Sequence, residues 1–267
     1  MIRAAVPADG DDPVLVVDRL RKEFPAQSRG GSASVAVDDV SFTLERGGSL
    51  AVVGESGSGK TTTARVVAGL ERATSGTVTV TSGGRPVVRP VQMVFQDPFA
   101  SLDPRQRIGS GLTELLRVRC GLGRAAALER TAGLLAEVGL DEQHASRLPR
   151  ELSGGQRQRV AIARALALRP EILILDEAVA ALDVSVQAQV LNLLRGIRER
   201  SSVAFLFVSH DLAVVRQVTD HCLVMRHGRV VEQGRTADVL DHPQNPYTQE
   251  LLDAVPGPGW KPRRRSV

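Results

Sequence analysis

The sequence predicts an α/β fold in three parts: a core on a mostly parallel sheet, an antiparallel β subdomain, and an inserted α-helical subdomain. Three observations carry this expectation. Short, continuously apolar runs such as Ile172–Leu175 and Val203–Val208 have the length of strands buried on both faces. These runs alternate with helix-length segments, the pattern that covers a parallel sheet on both sides. From Ile108 to about Val138 the apolar spacing is helical only, at Leu112, Leu115, Leu116, Leu128, Leu134, Leu135 and Val138.

Taken in order, residues 1–12 read as a disordered lead. Strand-like runs follow at Val14–Val17, Val35–Leu44 and Leu50–Val53, with a Gly/Ser-rich hairpin or loop at Ala26–Ala33 between the first two. A glycine-rich loop comes after Val53, then a helix to about Gly69. Strands near Thr77–Val80 and Val91–Phe95 flank a short Gly/Pro connector, and the helical subdomain occupies about 104–156. Next come helix Gly154–Leu168, strand Ile172–Leu175, helix Val184–Arg200, strand Val203–Val208 and helix Leu212–Val218. A closing hairpin (Cys222–Met225, Arg229–Glu232) and short helices from Thr236 complete a main domain over 13–256. A basic tail over 257–267 follows, containing Lys261–Arg265 (KPRRR).

Composition excludes several classes. With 42% hydrophobic residues in 267, a sizeable core is available and wholesale disorder is not expected. No apolar run reaches the length of a membrane span. The opening stretch is acidic and breaker-rich at Ala8–Pro13 (ADGDDP) rather than basic then apolar, so a cytosolic protein is expected, with membrane association only through a partner. A net charge of +4 and 3% aromatic residues argue against a nucleic-acid partner. Cys120 and Cys222 are far apart without CxxC spacing, and are expected as reduced, partly buried thiols.

The loop Gly54–Thr62 (GESGSGKTT) follows the apolar strand LAVV and opens a helix, the context in which GxxxxGK[ST] cradles phosphate. Gly54, Gly57 and Gly59 let backbone N–H groups, with those of Glu55, Ser56 and Ser58, converge on an anion at a helix N-terminus. Lys60 is placed to neutralise β- and γ-phosphates, and Thr61, followed by Thr62, offers a hydroxyl to Mg²⁺. The chemistry is therefore ATP binding and hydrolysis. The run ILILDE ends a buried strand in Asp176 and Glu177, which should emerge beside that loop. Asp176 suits Mg²⁺, and Glu177 suits polarising the attacking water. Taken alone, the same run could lead into an acid-capped helix.

The stretch LSGGQ (Leu152–Gln156) precedes a helix reading RQRVAIARALA, with Ser153 as its N-cap. A cap requires neither Gly154 and Gly155 nor Gln156. On this segment, together with the loop and ILILDE, the chain resembles the ATP-binding subunits of ABC transporters. That resemblance spans roughly Val14 to Pro256. It implies that Ser153 and the glycines contact the γ-phosphate held by a second subunit's loop, in a head-to-tail pair of identical or homologous chains. Gln96, ending VQMVF, matches the glutamine that reaches Mg²⁺ and the attacking water. His210, in FLFVSHD, matches the histidine that hydrogen-bonds the γ-phosphate and positions Glu177. Asp183 matches the loop that crosses the dimer interface, and Phe24 resembles the adenine-stacking aromatic, though a core position would suit it equally.

Within the family, VFQDPFASLDPR (Val94–Arg105), LDVSVQAQVLNLL (Leu182–Leu194) and HPQNPYTQELLDAVP (His242–Pro256) resemble the importers of peptides and nickel. The resemblance implies transmembrane permease subunits, gripped by Asp97–Arg107 and the following helices, and indirectly a substrate-binding protein. The chain would sit on the cytoplasmic face of the membrane. An exporter ATPase and a soluble non-transport ABC ATPase are the rivals. Three departures from the family stand out: AVAALD after Glu177, a short connector Thr81–Pro90, and no cysteine after Cys222 for an iron–sulfur cluster.

Overall fold

The continuously apolar runs form the middle of a six-stranded sheet in the computed structural model, which describes residues 13–25, 33–82 and 89–254. The lead over 1–12, most of the loop over 26–33, the middle of the 81–90 connector and the tail over 257–267 lie outside the described residues. In chain order the elements are β1 (Leu15–Phe24), β2 (Ser34–Leu44), β3 (Ser49–Val53), α1 (Lys60–Val67), β4 (Ser75–Val80), β5 (Val91–Val94), α2 (Ile108–Cys120) and α3 (Arg124–Glu137). Then follow α4 (Gly154–Leu166), β6 (Ile172–Asp176), α5 (Val184–Arg200), β7 (Ala204–Val208), α6 (Leu212–Val218), β8 (His221–Arg226), β9 (Arg229–Arg235), α7 (Thr236–Asp241) and α8 (Pro246–Asp253).

The main sheet runs β5-β6-β7-β3-β8-β9, parallel throughout except for the closing β8–β9 hairpin. Strand alternation sorts its side chains into two layers. Leu173, Leu175, Phe205, Phe207, Ala51 and Val53 pack with helices α2 to α7 on one face. Ile172, Ile174, Leu206, Val208, Leu50 and Val52 pack on the other against α1 and the three-stranded antiparallel sheet β2-β1-β4. Because both faces are covered, the strands read as unbroken apolar runs rather than alternating ones. Cys222 lies at 0% exposure in this core, and burial pushes its thiol up to about 12. Cys120 is half-buried, and both thiols are free.

The structure departs from the sequence reading at two places. Strand β1 continues to Phe24, well past Val17. The part beyond Val17 carries Asp18, Arg19, Arg21 and Lys22, and its pairing shifts register where Arg19 adopts a φ of 46°. A bulge of this kind breaks the period-two pattern that identifies a strand. Leu128, counted in the apolar helical face, is 53% exposed on α3, whereas Leu134, Leu135 and Val138 are fully buried.

Candidate functional site

The candidate residues emerge in a row from the C-terminal ends of neighbouring parallel strands. Gln96 follows β5, Asp176 ends β6 with Glu177 just after it, Ser209 and His210 follow β7, and Gly54–Thr62 follows β3. Registers Val94–Leu175, Asp176–Val208 and Val52–Val208 bring these ends level. This is where an open α/β sheet places its ligands.

The loop is wedged by neighbouring backbone. A side chain at Gly54 (φ 145°) would meet the carbonyl oxygen of Met225 at 2.2 Å, and one at Gly59 (φ 103°) that of Ala36 at 2.4 Å. The N–H of Gly228, in the β8–β9 turn, donates to the Ser58 carbonyl at 3.0 Å. Lys60 is 5% exposed, and its Nζ donates to the carbonyl oxygens of Gly54 and Glu55, each at 2.8 Å. Burial lowers its pKa, opposed by the carboxylates of Glu177, Asp176 and Glu55. Glu55, Ser56 and Gly57 are exposed on the outer turn, and Thr62 is half-buried in the first turn of α1.

The Thr61 hydroxyl donates to Asp176 Oδ1 at 3.1 Å. Burial raises the Asp176 pKa, with the Thr61 bond acting against it and the charge of Glu177 adding to it. Glu177 adopts a φ of 49°, a left-handed conformation uncommon for a residue of this kind. Its N–H donates to the Val208 carbonyl at 2.9 Å, and its Oε1 lies 3.2 Å from His210 Nδ1. The two elements thus bring the acid and the imidazole together across strands β6 and β7.

The segment Ser153–Gln156 is built differently. Ser153 Oγ accepts the Gln156 N–H at 3.3 Å, and Gln156 Oε1 accepts the Ser153 N–H at 2.9 Å. This reciprocal capping box corrects the reading that a cap has no use for the glutamine. Gln156 Nε2 also lies 3.2 Å from His144 Nε2. Gly155 likewise has a local reason, since a side chain there would meet Val186 Cγ1 of α5 at 2.3 Å. Gly154 has more room, its nearest neighbour being Leu182 Cδ2 at 3.6 Å. Helix α4 packs beside β5, and strands β6 and β7 lie between β5 and the loop-bearing β3. Among the described residues no hydrogen bond joins this segment to the glycine-rich loop. Asp183 is exposed at the start of α5, next to Val184 at 84% exposure. Phe24 is 36% exposed with the Lys22 ammonium 4.7 Å from its ring centre, which sets aside the core alternative.

The residues present fit a nucleotide triphosphate with a divalent cation. Ser58 Oγ is buried with no partner among the described residues, an acceptor or donor held in reserve inside the loop. Thr61 and Asp176 supply hard oxygen donors at one point. Sequence reasoning missed one contact to this loop. The Glu55 N–H donates to the Tyr247 hydroxyl of α8 at 3.1 Å. Tyr247 falls within His242–Pro256, where the resemblance to peptide importers implies no contact with the loop.

A family model described as ABC transporter matches residues 37–180. A putative peptide import ATP-binding protein of Brucella abortus (strain 2308) is 44% identical over 267 residues, an alignment covering 95% of this chain and 80% of the relative. The glutathione import ATP-binding protein GsiA of Salmonella typhimurium is 46% identical over 259 residues, 92% of this chain, but the chain spans only 41% of its length. Among solved structures, the ATP-binding cassette MJ0796, in a dimeric post-hydrolysis state bound to ADP and Pi, aligns with a TM-score of 0.70 at 26% identity, covering 83% of this chain and 98% of that one.

Proposed function

The chain belongs to the ABC transporter family, and from that premise we propose that it is the ATP-binding and ATP-hydrolysing subunit of a peptide-type importer. The observation that carries the chemistry is Glu177, held in a left-handed backbone, hydrogen-bonded to His210 and level with the phosphate loop. The names of the Brucella and Salmonella relatives support import over export and over a soluble non-transport role. The cargo would pass through separate membrane subunits, with a substrate-binding protein acting indirectly. Among the described residues no helix is long and apolar enough to cross a membrane. Attachment at the cytoplasmic face would run through those membrane subunits.

In this reading Lys60 and the N–H groups of Gly57 to Thr62 hold the phosphates of ATP. Phe24 offers its exposed face to the adenine. Glu177 orients and polarises the attacking water, and His210 fixes the carboxylate and hydrogen-bonds the γ-phosphate. Mg²⁺, held by Thr61, Gln96 and Asp176, would neutralise charge developing on the β- and γ-phosphate oxygens. Ser153, which is exposed, together with Gly154, Gly155 and Gln156 would serve the nucleotide of a second ATP-binding subunit. Asp183 and the exposed Val184 suit the same interface. A cleft of about 290 Å³ lined by Leu102, Gln106, Leu112, Leu115 and Arg164 is where a membrane subunit would dock.

Glu177→Gln tests the catalytic assignment. Turnover should fall by about a thousandfold while ATP binding is retained and an ATP-bound dimer accumulates. Hydrolysis at the normal rate would remove Glu177 from its role. Neighbouring genes for a permease and a binding protein would support import, and genes for an exporter would oppose it.

A further inference from the structure

The Gly54–Glu55 peptide plane is gripped from both sides. Its carbonyl, on Gly54, accepts Lys60 Nζ at 2.8 Å, and its N–H, on Glu55, donates to the Tyr247 hydroxyl at 3.1 Å. The Tyr247 side is rigid. The ring is 3% exposed and lies under the Arg226 guanidinium, 4.5 Å from its centre. Just before it, Asn245 Oδ1 caps α8 by accepting the Tyr247 N–H at 2.9 Å. The N–H groups of Gln244 and Asn245 donate to the Glu232 carboxylate at 2.8 and 3.2 Å, and Asn245 Nδ2 donates to the Val231 carbonyl at 3.2 Å. A chain of hydrogen bonds therefore runs from strand β9 through the start of α8 to the first peptide of the phosphate loop.

We propose that Tyr247 is a positioning residue for the phosphate loop: its hydroxyl fixes the Gly54–Glu55 peptide plane and, through it, the placement of Lys60. The Lys60 side of the plane is the side that changes, because an ammonium engaging phosphate oxygens loosens its hold on loop carbonyls. The Tyr247 side does not take part in that exchange. It keeps the plane from rotating and the loop in one shape, so the ordering cost of binding falls on fewer groups. The effect belongs to nucleotide binding, with the hydrolysis step left to Glu177 and His210. The inference rests on the loop's role in holding ATP. Failure of that role would appear as no ATP binding by the unaltered chain.

Tyr247→Phe removes the hydroxyl and leaves the ring buried beneath Arg226. Losing one hydrogen bond of ordinary strength should raise the Kd for a non-hydrolysed ATP analogue, and the KM for ATP, about fivefold. The kcat should stay close to that of the unaltered chain, the thermal midpoint should fall by no more than about 4 °C, and amide exchange at Glu55 should quicken. Thr248→Val, which alters the same buried stretch of α8 without touching the loop, should leave Kd unchanged. An unaltered Kd in Tyr247→Phe would overturn the proposal, as would a rise in Kd shared equally by Thr248→Val.

Discussion

The glycine-rich loop and the Ser153–Gln156 segment both lead into helices, α1 and α4, yet they are held in opposite ways. The loop is supported from outside itself: Met225 and Gly228 of the closing hairpin, Ala36 of the antiparallel sheet and Tyr247 of α8 all press on it or bond to it. Its lysine is buried, and Gly54 and Gly59 are wedged against neighbouring backbone. The second segment satisfies its own ends through the Ser153–Gln156 capping box and leaves Ser153 exposed. The first arrangement is a loop braced by distant parts of its own chain. The second is a rigid, self-sufficient tip offered outward, as the proposed pairing with a second subunit requires.

Substitutions at the two sets of glycines sharpen the contrast. Gly54→Ala should have the larger effect. Its side chain would meet a backbone carbonyl at 2.2 Å, in a conformation that only glycine adopts readily. Displacing backbone at this point should cost about 3 kcal/mol or more and abolish ATP binding, read by calorimetry and thermal melting. Gly155→Ala meets only the Val186 side chain. Overpacking of about 1–2 kcal/mol is offset by roughly 1 kcal/mol of helix propensity, so the thermal midpoint should barely move. ATP affinity of the single chain should persist while turnover falls. If Gly155→Ala lost affinity as Gly54→Ala does, the two regions would not be distinct in function.

Much of this was legible in the sequence because the signals are local. Helix α5 begins and ends where its apolar spacing says, at Val184 and Arg200, and α6 likewise at Leu212 and Val218. The loop Gly54–Thr62 and the strand ending in Asp176 and Glu177 carry their chemistry in consecutive residues. What stayed hidden depends on partners distant in sequence or on backbone shape. The left-handed backbone of Glu177 has no glycine or asparagine to announce it. The bulge at Arg19 hid half of β1. Tyr247 reaches Glu55 across 192 positions, and no periodicity encodes such a contact.

The central claim is that Ser153 acts on a nucleotide held by another subunit, and Ser153→Arg tests it most directly. Two quantities are measured side by side: ATP affinity of the dilute single chain, and ATP turnover of the assembled complex. The account gives unchanged affinity and turnover reduced by about a hundredfold, the scale of losing a donor aimed at developing phosphate charge. Loss of affinity in the dilute chain, or turnover at the unaltered rate, would contradict it.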